Sequence, residues 1–184
     1  MKEKANISYP LFESFKDKLK PKRSQAQMAL SQVNVFSRLS WQEIKIVENA
    51  VHIRNYAPGE PVFKQGDPGS GMYIIIEGSV GIFLDIPQQA PKQLSKLSDG
   101  DFFGEIALLD ESPRTAAATA IENSTIIGFY RPDLMDILKT KPALGGKILL
   151  ALSEVLAVRL RSTNGELVKV SRKLESVLES GANE

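Results

Sequence analysis

Three spacings of hydrophobic positions divide this 184-residue chain. In its middle third the apolar residues come in short runs: Pro61-Val62-Phe63, Met72-Tyr73-Ile74-Ile75-Ile76 and Val80-Gly81-Ile82-Phe83-Leu84, then roughly Thr115 to Ile121 and Thr125 to Tyr130. Eight of the 13 glycines fall between Gly59 and Gly104 and punctuate those runs. β-rich runs separated by glycine turns predict an antiparallel double-stranded β-helix, a jelly-roll-like β roll.

Helical spacing flanks the roll. Ser40-Trp41-Gln42-Glu43 is a capping box, with Leu39 and Ile44 at the staple positions, and predicts a helix to about Ala50. Pro132 suits the first turn of a second short helix. From Pro142 the pattern becomes one long helix. Leu156, Leu160, Thr163, Leu167, Val170, Leu174 and Val177 follow steps of four and three, the seam of a two-stranded coiled coil. The stripe is longer than one small roll can cover, which favours a homodimer over an amphipathic helix lying on its own domain. Gly165 costs about 1 kcal/mol in a helix interior and is expected to mark a bend or a frayed break. The fold class is therefore α+β and mainly β. It divides into a basic N-terminal arm and helix (1–33), the roll with its flanking helices (34–140), and a long C-terminal helix with a tail (141–184).

Composition narrows the function classes. With 23 basic and 22 acidic residues, the net charge of +1 gives no global attraction to nucleic acid or anionic lipid. Seven Lys/Arg against three acids in residues 1–25 read as a solvated arm. Cysteine is absent and His52 is the only histidine, which excludes disulfides, thiolate ligands, a cysteine nucleophile and a multi-histidine metal site. His52 is expected on a strand, structural or facing solvent. No apolar run approaches the roughly 18 residues of a membrane span. The expectation is a cytoplasmic protein that is not an enzyme, needs no metal or cofactor, and does not partner a membrane.

The chemistry is concentrated in Phe102-Phe103-Gly104-Glu105-Ile106-Ala107-Leu108-Leu109-Asp110-Glu111-Ser112-Pro113-Arg114-Thr115-Ala116. Gly104 permits a tight turn and a close approach of backbone to ligand. Glu105 to Leu109 can form a single helical turn whose free N–H groups attract an anion. The planar fork of Arg114 matches two phosphate oxygens. Glu105, acceptor-only when ionised, suits a sugar hydroxyl. Together these make a site for a sugar phosphate; the plainer alternative is a Glu105–Arg114 ion pair closing a turn.

Phe103-Gly104-Glu105-Ile106-Ala107-Leu108 followed by Pro113-Arg114-Thr115-Ala116 resembles the phosphate-binding cassette of the cyclic nucleotide-binding domain family, which includes catabolite activator-type regulators, kinase regulatory subunits and gated channels. The likeness extends from about Val35 to Asn164. It implies a β roll around a cyclic nucleotide, with Glu105 on the ribose 2′-hydroxyl and Arg114 on the cyclic phosphate. The amides of Ile106 and Ala107 complete the anion cradle, and the Thr115 hydroxyl lies beside it. In activator-type dimers a hydroxyl pair on the long helix reaches the base, one member from the opposite subunit; Thr163-Asn164 holds that place here and, being of the bacterial type, favours cAMP over cGMP.

The sequence departs from the pattern in places. Asp110 and Glu111 bring negative charge into the loop before Pro113, an expected penalty on anion binding, and Ala117 replaces a common hydroxyl residue. The chain ends 20 residues after Asn164, so no helix-turn-helix is expected and nucleic acid is not an expected partner. The function implied is a non-catalytic sensor that passes nucleotide occupancy through its terminal helices to an effector protein. The alternatives are a transcriptional regulator of this family without a helix-turn-helix, and a structural dimer with a vestigial pocket.

Overall fold

Two serine caps set the first helices of the computed structural model, which describes residues 23–181. Ser24 Oγ accepts the Gln27 amide at 3.0 Å and opens α1, Gln25–Gln32. The expected capping box opens α2, Trp41–Glu48: the Glu43 amide donates to Ser40 Oγ at 3.4 Å, and the Ser40 amide donates to Glu43 Oε2 at 2.8 Å. The basic stretch before residue 23 lies outside the described residues.

Eight strands follow among the described residues: β1 His52–Tyr56, β2 Pro61–Phe63, β3 Gly71–Glu77, β4 Ser79–Leu84, β5 Lys92–Ser98, β6 Phe102–Phe103, β7 Ala117–Ala120 and β8 Ser124–Tyr130. They form two four-stranded antiparallel sheets, ordered β1-β8-β3-β6 and β2-β7-β4-β5. This is the roll expected from the sequence. The uninterrupted apolar run of β3 is explained by burial on both faces, since alternate side chains of a strand point opposite ways. Tyr73 and Ile75 join Val80, Phe103, Ala118 and Ile126 between the sheets. Met72 and Ile74 face the other way and join Ile127 and Phe129 under the helices.

The helical layer is built by α1, α2, α3 (Arg131–Thr140) and α4 (Pro142–Gly181), which share that second core through Leu30, Val47, Leu134, Ile148 and Leu152. Pro132 sits in the first turn of α3, as expected. Lys147 Nζ meets Glu43 Oε1 at 2.7 Å and Arg38 meets Glu154 at 2.9 Å, tying the start of α4 to the N-terminal segment. The hydrogen bond from Lys147, then that from the Ser40 amide, holds the Glu43 carboxyl below the usual carboxylate range. Among the described residues no helix is long and apolar enough to cross a membrane.

The structure corrects the sequence reading at four points. α4 continues through Gly165, so the break expected there is absent: one glycine costs too little to interrupt a helix this long. β5 was not expected, because its KQLSKLS sequence is largely polar and its side chains are mostly exposed; its pairing along β4 makes it a strand. β7 begins at Ala117, which leaves Thr115 and Ala116 in the approach to the strand. The turn after Gly104 is a 3-10 turn, Glu105–Leu108. His52 lies on β1 with its ring largely exposed, 3.9 Å from Asp133.

Leu152 is fully buried where α4 meets the other helices. Leu152→Ala is expected to cost about 2–5 kcal/mol of unfolding free energy, read by urea denaturation, because it removes buried methyl groups and leaves a cavity.

Candidate functional site

Gly104 takes a left-handed conformation, φ 73°, and turns the chain from β6 into the 3-10 turn. The turn places Glu105, Ala107 and Leu108 inward and leaves Ile106 exposed. Within it the Ala107 amide donates to Gly104 O at 3.3 Å. Of the two amides expected to cradle an anion, this one is thus drawn into the turn's own i→i+3 pattern.

Arg114 returns from the other side of the loop and is almost wholly buried, 7% exposed. Its Nη1 donates to Gly104 O at 3.0 Å and its Nη2 to Gly71 O at 2.8 Å. The guanidinium lies 4.2 Å from the ring centre of Phe63 and 5.6 Å from that of Tyr73, and Tyr73 stacks on Phe103. Aromatic faces attract a cation placed over them. Nε is buried and has no hydrogen-bond partner among the described residues. Burial pulls the guanidinium below its ordinary pKa, opposed by Tyr73, Asp67 and Glu105. Burial likewise pushes the Tyr73 hydroxyl up.

Glu105 is buried too, at 2% exposure, and its ion pair is with Arg159 of α4, at 2.5 Å. The Glu105–Arg114 pair weighed from the sequence is therefore not the one formed. Arg159 Nη2 also donates to Phe102 O at 3.3 Å, and its guanidinium lies 5.0 Å from the Phe102 ring centre. A buried carboxylate needs such a partner. Arg159 was not singled out in the sequence, although a signal existed: it lies four residues before Thr163 on one helix, and that spacing puts the two on the same face.

These groups line one cavity of about 500 Å³, within the usual range of small-ligand sites, roughly 300–1,000 Å³. Phe103, Gly104, Glu105, Ile106, Ala107, Arg114, Thr115 and Ala116 all contribute to it. Phe63, Ile82, Ser95, Leu97 and Asp110, which the sequence did not nominate as site residues, also line it, with Phe102, Ser112, Pro113 and Arg159. Thr163 and Asn164 do not line it; both are exposed on the part of α4 beyond the roll. The acidic loop residues are engaged: Asp110 accepts from Ser112, and Glu111 pairs with Arg131. The arrangement offers a buried cation whose Nε has no partner among the described residues, a carboxylate held in place beside it, and an apolar wall for a flat ring.

Comparison with known proteins points the same way. The model of the cyclic nucleotide-binding domain family matches residues 53–141. The Cyclic AMP receptor protein of Thermus thermophilus is 32% identical over 133 residues, 72% of this chain and 60% of the relative. A cAMP-dependent protein kinase regulatory subunit of Mycosarcoma maydis is 37% identical over 99 residues, 54% of this chain and 19% of the relative. The crystal structure of the Thermus thermophilus catabolite activator protein superposes with a TM-score of 0.68 at 31% identity, covering 75% of this chain and 63% of that one. The chain spans about 60% of the length of the first curated relatives it matches.

A Cβ added to Gly104 would lie 2.7 Å from Arg114 Nη1. Gly104→Ala is expected to lose roughly 1–2 kcal/mol of unfolding free energy from the left-handed backbone alone. It also has to push Arg114 aside, so a crystal structure of the variant should show the guanidinium shifted from Gly104 O.

Proposed function

Residues 53–141 of this chain belong to the cyclic nucleotide-binding domain family, and from that membership we propose that the cavity takes a cyclic nucleotide, cAMP in preference to cGMP. On this reading the protein is a cytoplasmic, non-catalytic sensor, and its α4 helix dimerises and carries the signal to an effector protein. The observation that carries the reading is the convergence of two buried charges, Arg114 and Glu105, on one cavity from opposite ends of a short loop.

The roles follow from donor and acceptor chemistry. Arg114 keeps its two carbonyl contacts and offers Nε to a phosphate oxygen, which gives that buried donor the acceptor it lacks. Glu105 accepts from a ribose hydroxyl while Arg159 holds the carboxylate in place. The amide of Ile106 and the hydroxyl of Thr115 supplement the anion contact. Phe63, Ile82 and Leu97 give the base an apolar wall. Arg159 sits where α4 leaves the roll, so a change at Glu105 is felt by the helix.

Dimerisation is supported by the uncovered half of α4. Leu156 is partly buried against the helical core, but Leu160, Leu167, Val170 and Leu174 are each about 60% exposed, at the expected four-and-three spacing. The Val177 side chain of that seam lies outside the described residues. Thr163 and Asn164 stand in the same exposed stretch, and on this reading they serve a base bound to the other copy. The acidic loop gives little support to a vestigial pocket, since both carboxylates are engaged within the chain.

Isothermal titration with cAMP and cGMP tests the reading: a Kd in the micromolar range or below is expected, tighter for cAMP, and no heat with either at tens of micromolar protein overturns it. Arg114→Ala removes a charge-assisted contact worth about 1.5–3 kcal/mol and is expected to weaken binding roughly ten- to a hundredfold. For the helix, sedimentation should give a dimer for the parent chain and a monomer for Leu167→Glu/Leu174→Glu. A parent chain that sediments as a monomer removes the dimer from the proposal.

A further inference from the structure

The loop from the 3-10 turn to Arg114 rests on a floor made by residues 66–70. The Gly66 amide donates to Arg114 O at 2.9 Å, and the Arg114 amide donates to Asp67 O at 2.8 Å. Pro68 and Pro113 form an isolated antiparallel bridge. A Cβ on Gly69 would lie 2.7 Å from Ser112 O and 2.9 Å from Ala107 Cβ, so floor and loop are in close contact. The next carbonyl along the floor, Ser70 O, accepts the amide of Arg131, the first residue of α3, at 2.8 Å.

Glu111 closes the triangle. It reaches out of the loop, and its Oε1 accepts from Arg131 Nη1 at 2.5 Å. Arg131 is the less exposed partner, its side chain 30% exposed against 77% for Glu111. The charge that looks from the sequence like a penalty on anion binding is therefore paired with a half-buried cation on another element. Asp110, by contrast, accepts from the Ser112 amide and hydroxyl at 3.3 and 3.0 Å, within its own loop.

We propose that Glu111 and Arg131 are a positioning pair, which sets the loop, and through it Arg114, against the first turn of α3. The binding part of this inference rests on the cavity taking a cyclic nucleotide. α3 continues through Lys141 into α4, whose Arg159 holds Glu105. The helical layer thus grips the loop at both ends by a guanidinium–carboxylate pair, one inside the cavity and one outside it.

The test compares Glu111→Ala, Arg131→Ala and the swap Glu111→Arg/Arg131→Glu by cAMP titration. A positioning pair weakens binding in both single variants, by about two- to fivefold as expected of an exposed ion pair, and the swap restores most of the loss. A purely electrostatic role moves the singles in opposite directions, tighter without Glu111 and weaker without Arg131. That result, unchanged affinity in both singles, or a swap no better than the singles overturns the proposal. A second readout uses the ligand-free protein. Hydrogen exchange at the amides of Gly66, Arg114 and Arg131 should speed up in both singles and slow again in the swap. If the parent chain binds no cyclic nucleotide, the functional reading falls, while exchange at those amides still decides for or against the pair.

Discussion

A guanidinium buried in a β roll is the constraint around which the rest is arranged. Removing a charge from water is costly unless hydrogen bonds and nearby polarisable groups replace the lost hydration. For Arg114 the replacement comes from two carbonyls and the faces of Phe63 and Tyr73. Each carbonyl fixes a separate piece of chain: Gly71 O belongs to the first residue of β3, and Gly104 O to the left-handed residue that starts the 3-10 turn. The arginine therefore ties the start of β3, the turn and the approach to β7 into one unit. A guanidinium carries five donors; two go to these carbonyls, and Nε is buried with no partner among the described residues.

The same economy governs the helical layer. β3 and β8 are buried on both faces, so the roll and the helices share two central strands. Leu108 of the 3-10 turn is part of the apolar core between them, so the loop is seated in it at one point. Polar pairs add to that contact, Arg159–Glu105 and Arg131–Glu111. The first pair is nearly dry on its carboxylate side and the second is wet, so they differ in strength and in their sensitivity to salt.

The parts of this arrangement that are legible in the sequence are the local ones. Phe103 to Ala116 holds a turn glycine, an acid and a proline-arginine step within a single loop, and all of these residue types serve the loop they lie in. The capping box at Ser40 is legible for the same reason. β5 is not, because Lys92–Ser98 lacks apolar alternation and becomes a strand only through β4. Arg159 pairs across 54 positions and Arg131 across 20, so the carboxylate that each one meets is not readable from local spacing. The aromatic faces over Arg114 come from β2 and β3, and only the register of two sheets brings them together. Thr163 and Asn164 are the converse case: the resemblance nominates them, yet a single copy leaves them far along a helix that its own roll does not cover.

The exposed stretch of α4 sets the terms on which the proposed sensor passes on its occupancy. Within one chain, the cavity is bounded on the helix side by Arg159, and the described side chains of α4 beyond it are exposed. If nucleotide occupancy changes the geometry of Glu105, the change reaches α4 through Arg159. Linkage is reciprocal: a partner that seats on the uncovered half of α4 and prefers one position of the helix alters nucleotide affinity by the same factor by which the nucleotide alters the partner's. The size of that factor is limited by the difference in free energy of the Arg159–Glu105 contact between the two positions, since a ligand shifts an equilibrium only by its differential affinity. A guanidinium that holds a buried carboxylate, and is itself half exposed on a free helix, is suited to making that difference large, because losing the contact strands the carboxylate without its counter-charge.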